Sequence, residues 1–593
     1  NSNVPSLLRT LGAVAIPLDC FPVDPATPAL PRQYWGYTQR NLRAAHTVRR
    51  TPGVYSVFCS NYACGPDSFG LHFFAYAMQG KPSAVIETDG HSGDAGTKTR
   101  LEAFLYCVDG DRRSRASQQG PAADFSRIDG PGIDWAETRR RDARVLLPRM
   151  SENAVVAAAA LRAEGLRAEA LPPTTRDDVR VGRQLTSGKE CVPMMITLGA
   201  LLNRVRALPD PTEPVTLFMP TARGPCRFGV YGSLYQIALE RLGLAGRVAL
   251  VSPDDTDYFA GMSAGFSAKL WIGFVVHDLL EAMLLYARPV ERERGAADAA
   301  FERSLAELLA LMEQRAAGSL AAALIELGTG MWGTRSLVRR AAAEFAALAD
   351  LGRDVPSVAV VGEIYVRLDP FANDSLVRKL ESRGLRVRFA PFTEWLEYTT
   401  YLGEQRVAGG RPTSGDHALG TPVKGLIQRV SSGVLHATAA RAMGWGPPTS
   451  IEQTLAAAGP FMDPRLEGEA ALTVGAPLHE LRDGRIEGVV IVGPHECLPC
   501  KVAESQYGKV VETMSFPYLG VAVNGDPVDG ELIDRFAYDV RAAHGAREGG
   551  RPAPRGLRSS ILPVYPGRGG PEAPGAADRI CPRLAANVAP TPE

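Results

Sequence analysis

Short β-branched runs alternate with stretches whose apolar positions recur every three or four residues over the first 110 residues of the chain. "AVAIPL", "VYSVFC" and "SAVIET" read as strands, while "VPSLLRTLG", "WGYTQRNLRAAHTVRR", "SFGLHFFAYAM" and "TKTRLEAFLYC" read as helices. Such alternation predicts a mostly parallel sheet covered on both faces. The pattern turns loosely helical and Arg/Glu/Ala-rich over 135–170, then resumes from 182 to 260 with "VTLFMP" and "RVALVS" as strands. Nearly continuous helix follows over 265–350. Alternation returns at "SVAVVGEIYVRL" and runs to about 544, interrupted by a helical insertion at 422–458. The expected organisation is an α/β unit at 1–134, a second at 135–264, a helical segment at 265–355, a third α/β unit at 356–545 and a Pro/Gly-rich, disordered tail at 546–593. The fold class is therefore α/β: several Rossmann- or flavodoxin-like parallel-sheet units with a helical segment between them.

Composition narrows the function classes. Lys+Arg and Asp+Glu balance at 65 each, which leaves no electrostatic footprint for nucleic acid or an anionic membrane. The most apolar stretch, "SAKLWIGFVVHDLLEAMLLYA", is interrupted by Lys269, His277, Asp278 and Glu281. Its large side chains recur at helical spacing, so it reads as a core helix. The start of the chain has no basic region followed by an unbroken apolar run, and a cytoplasmic location is expected.

Three pairs of segments match in the same order. "NSNVPSLLRTLGAVAIPL" resembles "NDSLVRKLESRGLRVRFAP", "VYSVFCSNYACGPDS" resembles "GVVIVGPHECLPCKV", and "AVIETDGHSGDAGTKTRLEAF" resembles "LGVAVNGDPVDGELIDRFAYD". Two copies of one α/β unit are implied. In the later copy a strand and loop precede the asparagine. The first unit is accordingly expected to be incomplete at its N-terminal side, with a gap at that edge of its sheet or a partner chain filling it.

Four cysteines share one context. Cys64, Cys226 and Cys497 follow predicted strands in "NYACGPDS", "TARGPCRFG" and "GPHECLPC", and Cys191 in "GKECVPMM" opens a helix directly. Ligands of doubly wound sheets bind beyond the carboxyl ends of strands, and a helix N-terminus favours the thiolate. Four such loops meeting in one crevice offer soft sulfur ligands suited to an iron–sulfur cluster or zinc. Cys20, Cys59 and Cys107 lie in or beside apolar runs and read as structural, and Cys581 falls in the tail. Cys500 is open between a fifth ligand, a redox partner of Cys497 and a bystander.

Weaker candidates surround these. Asp89, His91 and Asp94 sit at the end of a strand and either cap the next helix or line the site. His495 is a candidate hydrogen-bond donor to cluster sulfur or substrate. Tyr365, Asn373 and Asp374 are placed on the same crevice, with turn duty as the alternative. "GTGMWG" at 328–333 matches G-x-G-x-x-G but lies between helices and reads as a turn.

Together, "NYACGPDSF", "ETDGHSGDAGTKTRLEAF", "GKECVPMM", "GPCRFGVY", "VVGEIYVRLDPFAND" and "HECLP" resemble the carboxyl-terminal region of the large activase-related proteins of the 2-hydroxyacyl-CoA dehydratase system, whose relatives include the dehydratase subunits and double-cubane cluster proteins. The resemblance runs from Asn1 to about residue 540 and implies an anaerobic iron–sulfur protein, with Cys64, Cys191, Cys226 and Cys497 at the cluster-ligand positions. The implied cofactor is a [4Fe-4S] or related cluster. In the dehydratases an ATP-driven activator passes one low-potential electron to a cluster-bearing component. That electron reduces the acyl-CoA thioester to a ketyl radical, from which a hydroxyl leaves. The resemblance thus implies low-potential electron transfer supporting (R)-2-hydroxyacyl-CoA dehydration or a related reduction, and an acyl-CoA substrate. The activator's ATPase domains are not in this sequence, so a separate ATP-dependent protein or upstream domains would supply them. Where relatives carry glycine after C-M-P, this chain has Cys500. Two further readings stand beside this one: a non-catalytic scaffold that docks an activator, and a zinc-stabilised CoA-binding module.

Overall fold

The computed structural model describes residues 3–548 apart from 28, 29, 31, 63, 89–92, 115–124, 129, 131, 223, 256, 414 and 464. The described residues belong to one compact unit. The fold is mixed α/β, and the described residues hold ten strands in three sheets whose strand pairings are all parallel. β1 (Ser56–Asn61) pairs with β2 (Ser83–Thr88). β3 (Arg144–Leu147), β4 (Arg167–Ala170), β5 (Val215–Phe218) and β6 (Val248–Val251) form a second sheet in the order β4-β3-β5-β6. β7 (Ser357–Gly362), β8 (Arg386–Phe389), β9 (Gly488–Pro494) and β10 (Tyr518–Val523) form the third, in the order β10-β9-β7-β8.

Burial explains the sequence of each strand. β5, β7 and β9 are buried at every residue, so they read as unbroken apolar runs. β1 alternates buried and exposed positions toward its end. Cys59 is exposed there, as are Cys20 and Cys107, so these three do not pack in a core as their apolar surroundings suggested. In the two-stranded first sheet, one face of β1 remains uncovered.

The repeat accounts for a second difference. "LRVRFAP" contains β8, hydrogen-bonded in register to β7, but its counterpart "AVAIPL" forms no strand, and Val14 is 91% exposed. Extended backbone without a ladder partner is simply solvated.

The stretch 135–170, read as loosely helical, holds two strands. β3 and β4 flank the helix Asn153–Ala163, which is buried nearly all round. β4 reads Arg-Ala-Glu-Ala, with no β-branched or aromatic residue, and an alanine-rich helix buried on all sides lacks an amphipathic stripe.

Between the second and third sheets lies the helical segment. Its central helix, Ala264–Ala287, packs on the helices Asn153–Ala163, Ala296–Glu313, Thr334–Leu348 and Gly420–Met443 and on β8. Together with the turn to Val290, it forms the one segment among the described residues that is long and apolar enough to cross a membrane, and 83% of its most apolar window is buried inside the fold. The Lys269 ammonium is satisfied within the core, donating to the carbonyls of Met312 and Arg315 at 2.6 Å each. "GTGMWG" forms the turn after the helix Leu320–Thr329, with Met331 and Trp332 at positive φ. The expected tail lies outside the described residues beyond Glu548.

The third sheet shares a core with two helices of the second unit, Arg176–Arg183 and Val192–Arg206. Val179, Val192, Met195 and Ile196 pack with Val490, Val492 and Tyr365, which fixes the crevice between the carboxyl ends of the two sheets.

Candidate metal centre

Both four-stranded sheets reverse their winding at an inner pair, β3/β5 in one and β7/β9 in the other. Such switch points open a crevice beyond the carboxyl ends of the strands. Cys226 lies on the loop after β5, and Cys497 on the loop after β9.

Each of the four candidate ligands precedes a helix in extended conformation. Cys64, Cys191 and Cys497 stand at the N-caps of the helices Gly65–Ala77, Val192–Arg206 and Leu498–Thr513, and Cys226 caps the 3₁₀ turn Arg227–Val230. Pro66, Pro193 and Pro499 occupy the first turns, where a missing N–H costs nothing. The amides of Asp67, Phe228 and Cys500, in the first turns after Cys64, Cys226 and Cys497, favour the ionised forms of those thiols. Glu496 has φ +54, and this uncommon left-handed residue turns the chain immediately before Cys497.

Arg227 joins the four loops, and reading the sequence did not single it out. Its guanidinium is buried and donates from Nη1 to Ser68 Oγ (3.2 Å) and the Lys189 carbonyl (3.1 Å), and from Nη2 to the His495 carbonyl (2.9 Å). These partners belong to the helix begun by Cys64 and to the loops before Cys191 and Cys497. The first and last loops meet beside Gly65, where a Cβ would lie in ordinary contact with the Glu496 carbonyl oxygen (3.4 Å) and Arg227 Cδ (3.9 Å). The only signal in the sequence was a charged residue in the otherwise small and aromatic "GPCRFGVY".

Cys191, Cys226 and Cys497 lie close enough to perturb one another. Burial pushes Cys191 up to about 11 and Cys226 well above the ordinary thiol value, and neighbouring thiols add to both. For Cys497 the first cause is its hydrogen bond with Cys500, then burial. Cys64, half-buried, is raised less decisively, with Lys189 and the Asp67 backbone opposing its desolvation. The expectation that helix N-termini favour the thiolate is thus corrected: desolvation outweighs the dipole, and the bare sulfurs hold their protons. Cys191 Sγ lies 2.6 Å from the Tyr231 hydroxyl. Among the described residues no three thiols lie within 4.8 Å of one another. Tetrahedral zinc, with sulfur bonds of about 2.3 Å, needs sulfurs roughly 3.8 Å apart. No grouping of thiols that tight is present among the described residues.

The secondary candidates divide. Cys500 is buried and turned back on β9, its Sγ 3.9 Å from the Val492 carbonyl oxygen. His495 is exposed and serves the crevice through its carbonyl oxygen. Tyr365, Asn373 and Asp374 brace the chain after β7. Tyr365 donates to the Arg149 carbonyl (3.4 Å), Asn373 Nδ2 to the carbonyls of Val366 and Arg367 (2.9 Å each), and Asp374 accepts from the Val528 amide (2.8 Å). Turn duty is therefore visible for Asn373, while Tyr365 and Asp374 tie this segment to distant loops. Asp94 begins its helix and accepts from Asn3 Nδ2 at 2.8 Å, while Asp89 and His91 lie outside the described residues.

Two carboxylates complete the surroundings. Glu363, after β7, caps the helix Ile364–Leu368 by accepting from the Val366 amide (2.9 Å), and its charge raises Cys191 and Cys497. Glu190, beside Cys191, pairs with His72. Burial alone would raise its carboxyl, but His72 and the Ser187 amide hold it at about 2.

A scan of the chain against protein-family models gives no match, and a search of curated proteins gives no significant one.

Proposed function

We propose that the protein binds an iron–sulfur cluster of the four-iron type through Cys64, Cys191, Cys226 and Cys497, and carries low-potential electrons in a system of the 2-hydroxyacyl-CoA dehydratase kind. The observation that supports this most is the charge state of Arg227. Its guanidinium is buried and bonded only to neutral oxygens, and among the described residues no carboxylate lies within ion-pair distance. A buried, unpaired cation is costly. A thiolate-ligated cluster carries net negative charge, and a cation bonded among all four ligand loops offsets it.

When bound, such a cluster supplies one-electron reduction, used here for (R)-2-hydroxyacyl-CoA dehydration or a related difficult reduction. The chain's own residues bury Cys191 and Cys497 away from water and hold the Arg227 guanidinium among the loops that carry the four cysteines. The electron comes from an ATP-dependent activator protein or from ATPase domains upstream, in an anaerobic cytoplasm.

The reading is tested by reducing anaerobically purified protein and recording its electron paramagnetic resonance spectrum. The expected result is a one-electron cluster signal that Cys226→Ser and Cys497→Ser each abolish. Protein that accepts no electron, or whose signal survives both substitutions, rejects the reading.

A further inference from the structure

A second buried polar site lies on the central helix Ala264–Ala287. His277 and Glu281, four residues apart, share a helix face, and Asp278 sits beside them. One donor atom from each residue lies within 4.8 Å of the other two, with His277 Nδ1 3.6 Å from Asp278 Oδ1. Asp278 and Glu281 line a cavity of about 700 Å³ bounded by this helix, β8 and the helices Phe392–Ala408 and Gly420–Met443.

Arginines also line the cavity, but Arg386 lies over the Tyr286 ring and Arg388 is paired with Glu480, away from this cluster. His277 is 1% exposed, and its Nδ1 has no hydrogen-bond partner. Glu394 and Glu397 line the same cavity. Among the described residues, neither they nor Glu281 stand within ion-pair distance of a cation. Arg288, whose charge reaches Glu281, is bonded to Glu381 and Asp298, and Arg367 donates from Nη1 to the Gly362 carbonyl. Arg429 is taken by Glu404. Burial pushes Glu394 and Glu397 up to about 7, outweighing the opposing pull of Arg367 on the first and of Ser432 and Arg429 on the second.

The Asp278 carboxylate is nonetheless held in place. Its Oδ2 accepts from the Thr393 amide (2.8 Å) and hydroxyl (2.7 Å), and its Oδ1 from Asn153 Nδ2 (3.4 Å). Donors of this kind behind a carboxylate fix the orientation of a metal ligand.

We propose that His277, Asp278 and Glu281 hold a divalent first-row transition-metal ion at the wall of the cavity. One imidazole with two carboxylates suits manganese, iron, cobalt or zinc rather than calcium, which takes oxygen ligands alone. The 3.6 Å between the imidazole and carboxylate donors is close to what bonds of about 2.1 Å to one ion require. Three protein ligands leave positions open toward the cavity for water or an oxygen donor of a bound molecule. The site is independent of the cysteine crevice.

Manganese is the discriminating probe, because thiolates favour softer ions. Full-length protein titrated with MnCl₂, with free ion followed by electron paramagnetic resonance, should show one saturable site. Glu281→Gln and Asp278→Asn should each weaken it by about tenfold or more, while Cys226→Ser leaves it unchanged. Absence of saturable binding, or binding indifferent to both carboxylate substitutions, overturns the proposal. Should circular dichroism show the variants unfolded, the wild-type protein decides: MnCl₂ must raise its thermal midpoint, and no rise overturns the proposal.

Discussion

Arg227 Nη2 donates to the backbone carbonyl of His495 across 2.9 Å, tying together loops 268 residues apart in sequence. One side belongs to the second sheet and the other to the third, so this bond spans the crevice between their switch points. The same guanidinium reaches Ser68 and the Lys189 carbonyl, so a single side chain sets the relative positions of all four cysteine loops.

Replacing Arg227 with methionine keeps much of the volume and removes three charge-assisted bonds. A loss of about 3 kcal/mol is expected, because the acceptors are left partly unsatisfied. Chemical denaturation against wild type measures it. Arg227→Lys should recover only part, since one ammonium cannot reach three divergent acceptors as a planar fork does. Full recovery by lysine would mean that charge alone suffices.

Glu190 gives the fold an acid limit. Its carboxyl is held at about 2, below its ordinary 4.5, so the Glu190–His72 pair contributes stability fully present above 4.5. That contribution is lost as pH falls through the folded-state value. Thermal midpoints measured from pH 5 to about pH 2 should fall less steeply in Glu190→Gln than in wild type. Parallel slopes would remove Glu190 from the acid response.

The bare thiols set the opposite limit. Cys191 is raised from 9.0 to about 11, so the folded state keeps a proton that the unfolded chain releases. Stability from this group is complete below pH 9 and declines as pH rises toward 11. Metal-free protein should accordingly react slowly with a thiol-alkylating reagent at Cys191 until pH exceeds 9, as peptide mass analysis would show. Rapid labelling near neutrality would contradict the buried, protonated state.

Gly493 is required by Cys500. A Cβ at this position would stand 2.6 Å from Cys500 Sγ and 3.1 Å from its Cβ, so Gly493→Ala should destabilise the protein by about 1–3 kcal/mol. Adding Cys500→Ala removes the nearer contact and should recover part of that loss, measured by denaturation of the single and double variants. Additive losses would show that the two positions are uncoupled.

Much of the fold was legible because fully buried parallel strands declare themselves: β5, β7 and β9 stand out as apolar runs bounded by Gly and Pro. β3 and β4 did not, because β4 is Arg-Ala-Glu-Ala without a β-branched residue and the helix between them has no polar face. The cysteine positions were legible from their strand–loop–helix context, but their protonation was not, since burial depends on contacts that arise only when the units pack. Arg227 stayed hidden for the same reason, because each of its partners comes from a distant loop. Asn373 erred in the other direction: adjacency to a strand end suggested the crevice, yet its amide is spent on the backbone beside it, whereas Tyr365 does reach across to the Arg149 carbonyl beyond β3.

The most direct measurement is the iron and acid-labile sulfide content of protein purified without oxygen, compared with Arg227→Met and with serine at each of Cys64, Cys191, Cys226 and Cys497. A shared cluster predicts about four iron and four sulfide per chain, with marked loss in every variant. Wild-type protein devoid of both, or cysteine variants that keep the full complement, would contradict it.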